Sequence, residues 1–381
     1  MRINLLILVI FMCYAPLAHA QEPVLVGGTL TESQVWTKNY LYIVTDDLYI
    51  PNGIELIIEA GVTVRFNQGT AMVVELGRLK ILGVESDSVR LIPNYIGVQQ
   101  WKWRGLTYLK VSGEGNNVIH YASIVNAEQG IEMISAEHVV VTNTYLAKNQ
   151  WRGLRIVSSS GCRVSDCEIT TNYVGIEMYA SGMGNITADN VIENSYIGAN
   201  QNANIILLND NEGVIEGNLI RNNLIDKTLN GIRFDRGNNA PAAVNTFSSN
   251  RIVSNGQGFG FGMYLTMDST RVQNNIFWLN TNALTLRAAS ACVIENNSFL
   301  NNSEAISLQE GSLNTVIRQN TFSKQDNRIL NLNSAPHDSI VRNNIFRQKA
   351  QSNYVRNNTA IDVGMQYNYW TSTISDSINT F

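Results

Sequence analysis

A short phrase, Asn-x-large apolar, returns along this sequence at a nearly constant interval. It reads Asn190-Val191-Ile192, Asn218-Leu219-Ile220, Asn250-Arg251-Ile252, Asn275-Ile276-Phe277, Asn297-Ser298-Phe299, Asn320-Thr321-Phe322, Asn344-Ile345-Phe346 and Asn368-Tyr369-Trp370. Ala122, Thr144 and Cys167 take the same place upstream, and from 122 onward the steps are 22, 23, 23, 28, 32, 25, 22, 23, 24 and 24 residues. A second phrase keeps the same beat, as in Gly130-Ile131-Glu132-Met133, Gly153-Leu154-Arg155-Ile156, Gly175-Ile176-Glu177-Met178, Gly231-Ile232-Arg233-Phe234 and Gly262-Met263-Tyr264-Leu265. Within each unit apolar residues alternate with period two over stretches rich in Val, Ile and Phe, which is the pattern of strand and turn. A unit of about 23 residues cannot bury its own apolar face, so it must wind one rung of a coil and stack on the next. The expected fold is all-β, a parallel β-helix.

The chain holds 48 Asn, 33 of them between positions 201 and 381. In a stacked coil, equivalent residues lie about 4.8 Å apart. A buried side-chain amide can then donate to one neighbouring rung and accept from the other, so a column of amides satisfies itself. The expected ladder is Asn190, Asn218, Asn250, Asn275, Asn297, Asn320, Asn344 and Asn368. Turn asparagines also accept the left-handed conformation that tight corners need. Upstream, residues 36–111 lack the Asn phrase but keep the strand alternation, adding about three rungs to give a solenoid of about 13, on the order of 60 Å long. Residues 21–111 then form an N-terminal cap, centred on 21–40, and the first rungs; 112–370 form the ladder repeats and 371–381 a terminal segment.

The first twenty residues read as an export signal, with Arg2, an apolar core over 5–12 and the small-x-small site Ala18-His19-Ala20. The mature chain is expected to begin near Gln21, secreted or periplasmic, and no later run has the roughly 18 apolar residues of a membrane span. With 27 Lys+Arg against 31 Asp+Glu and 15% charged residues, the chain lacks the basic excess that nucleic-acid binding draws on. Cys162, Cys167 and Cys292, three in the mature chain, do not make a disulfide framework. Cys162 and Cys292 share a column but lie five rungs apart, about 24 Å at the strand spacing. His120, His138 and His337 are isolated from one another and from acidic clusters, so no metal or cofactor is implied.

Several segments carry a family resemblance: residues 44–66 with Pro51-Asn52-Gly53 and Ala60-Gly61-Val62, the element Trp103-Arg104-Gly105-Leu106, the repeated Asn-x-Phe, and Tyr367-Asn368-Tyr369-Trp370. Together they resemble exported bacterial right-handed parallel β-helix proteins of the pectin-lyase-like superfamily. That resemblance implies a right-handed coil over nearly the whole mature chain. It leaves function open among lyases, hydrolases, epimerases, adhesins and proteins without known activity. The Asn-Thr-Asp, paired Asp-Asp and Gly-His signatures of polygalacturonase-like hydrolases do not occur together here, and the acids around Asp235 are few for a calcium-type lyase. Ala335-Pro336-His337-Asp338 is similar to part of an alginate-epimerase signature, with Ala335 in place of its first Asp. For β-helix proteins of copper-enzyme maturation, Met263 and Met267 are the one close Met pair, with no His beside them.

Chemistry is expected on the outward positions of the Gly-apolar strand, where successive rungs present Glu132, Arg155, Glu177, Ala199, Arg233, Tyr264, Thr285, Ser307 and Asn331. Two residues further on, the same face adds Tyr179, Asp235, Thr266, Arg287 and Gln309. Acids, guanidiniums and tyrosines at rung spacing can grip a sugar polymer, and a base beside a cation is what β-elimination of a uronate needs. The plainer reading is a solvated ladder in which Glu132, Arg155 and Glu177 pair across rungs. The two long steps, 190 to 218 and 218 to 250, predict loops near 201–211 and 226–241, the second carrying Arg233, Asp235 and Arg236. Trp101, Trp151 and Trp278 are available for sugar stacking, while Trp36, Trp103 and Trp370 belong to packing. Two functions follow. One is a non-catalytic module binding polysaccharide or another cell-envelope component through Glu132, Arg155, Tyr179, Arg236, Tyr264 and Arg287. The other is a lyase-like or epimerase-like enzyme on an acidic glycan, with Glu177, Arg233 and Asp235 as catalytic candidates.

Overall fold

Short apolar strands, separated by single residues of left-handed conformation, wind the chain into a parallel β-solenoid of about 13 turns. The computed structural model describes residues 22–95, 102–237, 241, 243–256, 260–333, 340–347, 355–358 and 365–370. Trp101, the tetrad 335–338, the side chain of Trp370, the export segment and residues 371–381 lie outside the described residues. Each regular turn contributes one strand to each of three faces. The first face is a 13-stranded parallel sheet running from Gln34–Trp36 to Ile340–Arg342. The second and third faces form one sheet because strand Tyr40–Ile50 serves both, pairing first with Thr63–Phe66 and then with Ala71–Glu75. The described residues contain no helix, and none therefore long and apolar enough to cross a membrane.

Period two sends alternate side chains inward, and stacking places like over like. Ile119, Val141, Val164, Ile192, Ile220 and Phe247 succeed one another inside the first face, all 0% exposed. Inside the second face Phe277, Phe299, Phe322 and Phe346 stack with centroids 4.8, 5.0 and 5.1 Å apart, which is the strand spacing itself. At the N-terminal end Glu22–Thr29 pairs with Tyr40–Ile50, and Trp36 stacks on Tyr42 at 4.2 Å to close the core. Trp103, 0% exposed, stacks on Phe66 at 4.0 Å, in keeping with packing.

The amides form three ladders, one at each corner. Before the first face run Asn190, Asn218 and Asn245, linked through Nδ2 to Oδ1 contacts of 2.9 and 3.0 Å. Before the second face run Asn223, Asn250, Asn275, Asn297, Asn320, Asn344 and Asn368. Before the third face run Asn149, Asn172 and Asn200, and then Asn255, Asn280 and Asn302. The single expected column therefore joins two corners: Asn190 and Asn218 belong to the first, and Asn250 onward to the second. The cause is local, because Asn218-Leu219-Ile220 and Asn223-Leu224-Ile225 are the same phrase five residues apart at adjacent corners. In the corrected column Cys167 is followed by Ser195, Asn223 and Asn250, with steps of 28, 28 and 27 residues.

The extra residues of these longer turns are also placed differently from the expectation of loops. Residues 201–211 lie largely in strand Ala203–Asp210, which with Val174–Ser181 lengthens the third face to eight residues a strand. The remainder builds a small two-stranded sheet, Ile186–Ala188 with Val214–Glu216. Arg233, Asp235 and Arg236 stand in strand Asn230–Arg236 and are held by the sheet.

Candidate functional site

On the third face, in-register pairing sets the outward column as Glu132, Arg155, Glu177, Ile206, Arg233, Tyr264, Thr285, Ser307 and Asn331. Ile206 occupies the place expected for Ala199. The lengthened strands shift the register, and Ala199 instead turns the corner before Asn200 with φ 52°. Ile206 packs with Val174, Ala203 and Leu208 in an apolar saddle outside the main core. That saddle separates two polar clusters.

The first cluster is an ion network across rungs. Arg155 donates to Glu132 and, through Nε, to Glu177, both at 2.8 Å, and Arg152 donates to the other Glu177 oxygen at 2.8 Å. Glu177 is 6% exposed. The Arg155 guanidinium lies 5.5 Å from the Tyr179 ring centroid, within cation–π range. Burial opposes its charge, but the hydrogen bonds of the two glutamates outweigh that and hold Arg155 above the ordinary arginine value. Glu177 is thereby committed to two arginines and lies two rungs from Arg233, about 10 Å at the strand spacing.

The second cluster lines an open groove of about 610 Å³. Arg233 Nε donates to Asp235 at 2.6 Å, and Arg236 Nη1 donates to Asp268 at 2.8 Å. Arg287 grips Glu310 through two bonds of 2.6 Å, a bidentate fork, and lines the groove beside Tyr264. The hydrogen bond to Glu310 raises Arg287 further above the ordinary range, and the same bond holds the Glu310 carboxyl below its own. Thr266 Oγ1 accepts from the Arg236 backbone N–H at 2.6 Å and ties the groove floor to the next rung. The groove thus brings together Arg233, Asp235, Arg236, Tyr264 and Arg287, while Glu132, Arg155, Glu177 and Tyr179 stay with the first cluster.

Arg152, Asp268 and Glu310 are the members that sequence reasoning passed over. Arg152 directly precedes the Gly153 phrase, and Glu310, with φ 49°, directly follows Gln309 on the expected face. Reading one residue either side of the phrase would have found both. Asp268 follows the strand in the turn after Met267, and only the fold brings it to Arg236.

The profile described as "Right handed beta helix region" matches residues 52–192 and 129–286. A second, "Periplasmic copper-binding protein (NosD)", matches residues 220–380. No match is found among curated proteins. Among solved structures, a mutant tailspike protein of E. coli bacteriophage HK620 in complex with a hexasaccharide aligns at 9% identity, with 90% of this chain and 71% of that one covered and a TM-score of 0.52. The exopolygalacturonase of Thermotoga maritima aligns at 10% identity, covering 84% and 82%, with a TM-score of 0.43. The Dettilon tailspike protein aligns at 15%, covering 77% of this chain, with a TM-score of 0.47. This chain spans 61% of that tailspike's length and 53% of that of a Geobacillus virus protein. At 9% identity the likeness to the HK620 tailspike is one of fold alone.

Among the described residues no three His, Cys, Asp or Glu come together to hold a metal. Met263 and Met267 are buried at 0% exposure, and burial pushes the Cys162 thiol up to about 11 and those of Cys167 and Cys292 up to about 12. Among the described residues, thioethers and protonated thiols scattered through a closed core do not fit an exchangeable copper site.

Proposed function

Because this chain belongs to the right-handed β-helix family, we propose that it uses the third face as an exported, non-catalytic module holding a polysaccharide or another cell-envelope component. The binding groove in this reading is that of Arg233, Asp235, Arg236, Tyr264 and Arg287, with the Arg155 network as its continuation. One observation carries it: Asp235, Asp268 and Glu310 around the groove are each engaged by an arginine. Such paired groups present fixed donors and acceptors to hydroxyls, whereas a catalytic base needs a carboxylate poised to take a proton. Export rests on residues 1–20, and the partial match to a periplasmic family supports the same destination. A lyase-like alternative draws on Tyr264, Arg233 and Arg287, which line one groove and set a phenol beside two guanidiniums.

The test combines a glycan array with absorbance of unsaturated products on acidic polysaccharides. The expected outcome is retention of a glycan without product, weakened roughly tenfold by Arg287→Ala or Tyr264→Ala. Product formation that Arg233→Ala abolishes would establish the lyase reading instead, and silence in both assays would remove the two together.

A further inference from the structure

Two large aromatic side chains stand exposed on consecutive rungs where the second face turns into the third. Trp151 is 46% exposed and Tyr173 41%, with ring centroids 6.0 Å apart in an edge-to-face arrangement. Their backbones are fixed by the stack, since Trp151 N–H donates to Glu128 at 2.9 Å and Val174 N–H donates to Trp151 at 2.8 Å. The two rings meet edge to face on a backbone fixed by the stack and present one aromatic surface to solvent. The flanks identify what such a surface fits. Arg152 follows Trp151 directly and is bound to Glu177, while Gln150 is exposed and Asn202 half-buried on the neighbouring rung. Gln129, paired in register with Arg152, and Arg152 itself each keep a buried polar atom, Oε1 and Nε, without a partner. Here two aromatic rings stand between the apolar saddle that begins at Val174 and the polar residues Gln150, Arg152 and Asn202, which matches a sugar ring with one C–H face and a rim of hydroxyls.

Resting on the glycan reading of the third face, we propose that Trp151 and Tyr173 form a second subsite, stacking on the apolar face of a pyranose ring. Register counts four rungs from Arg155, through Glu177, Ile206 and Arg233, to Tyr264. The two subsites are therefore about 19 Å apart along the rod. The bound polymer runs parallel to the solenoid axis, crossing the Arg155 network and the Ile206 saddle, and short oligomers reach one subsite only.

The experiment uses the full chain in native gels containing xylan, galactan, mannan, dextran or polygalacturonate, followed by titration with graded oligomers of whichever polymer retards it. Trp151→Ala and Tyr173→Ala are expected to weaken binding of long oligomers roughly tenfold while leaving the shortest binders unchanged, and Trp151→Phe is expected to keep most of the affinity. Both positions are exposed, so melting curves should match the parent. If Tyr264→Ala abolishes retardation while the Trp151 and Tyr173 variants bind as the parent at every length, this subsite is wrong and the groove stands. If no polymer retards the chain, the groove reading fails and the subsite with it. A Trp151→Ala variant that alters oligomeric state with unchanged glycan binding would make the pair a protein contact and overturn the inference.

Discussion

Each ladder asparagine closes a hydrogen-bond circuit that no apolar residue can replace. Asn297 Oδ1 accepts from the Asn275 backbone N–H at 2.9 Å and from its side chain at 3.1 Å, while Asn297 Nδ2 donates to Val272 at 2.9 Å and Asn320 at 3.0 Å. The residue before it, Asn296, has φ 56° and makes the corner. Paired asparagines thus divide two tasks, the left-handed turn and the buried amide. Asn297→Ala leaves the Asn275 N–H buried and unpaired, and is expected to cost about 3 kcal/mol in urea unfolding. Asn297→Ser should cost less, because Ser195 already fills an equivalent place by accepting from Cys167 N–H at 3.1 Å. An alanine variant as stable as the parent would refute the account. The need for buried amides was legible in the composition; their division among three corners was not, because corners five residues apart share one phrase.

A strand on the third face is stabilised across rungs as well as by its inward apolar residues. Arg155 is the shared partner of Glu132 and Glu177, with side-chain exposure of 25% against 18% and 8%. Removing it leaves Glu132 without its arginine and Glu177 with Arg152 alone, both in a largely desolvated place. Arg155→Met is expected to destabilise by about 3 kcal/mol, and adding Glu177→Met to recover part of that loss. A double-mutant cycle by chemical denaturation reads the coupling, and independent additive effects would mean the network is only a solvated ladder. The pairing of Glu132, Arg155 and Glu177 could be anticipated from rung spacing. Ile206 could not, because strands Val174–Ser181 and Ala203–Asp210 lengthen by pairing with each other, and no local property of either segment requires it.

At the scale of the whole molecule, a continuous closed core makes stability depend on keeping its ionisable groups neutral. Burial pushes Cys162 from 9.0 up to about 11, and Cys167 and Cys292 up to about 12; Tyr108, wholly buried, is raised as well. Above the ordinary thiol value the unfolded chain sheds protons that the folded chain retains, so stability falls as pH rises. It should be fully present below about pH 9 and decline toward pH 12, and replacing the three cysteines by alanine should flatten that decline. Urea midpoints measured across this range decide it, and a native protein whose thiols react readily near pH 8 would contradict the buried placement. Period-two alternation and a 23-residue beat determined by themselves that the chain stacks into a parallel coil, because such a unit has no other way to cover its apolar side. Which outward residues share a groove was decided only by the tertiary structure. A few added residues in three turns shift the register, and register alone sets Arg233, Tyr264 and Arg287 together while keeping Glu177 two rungs away.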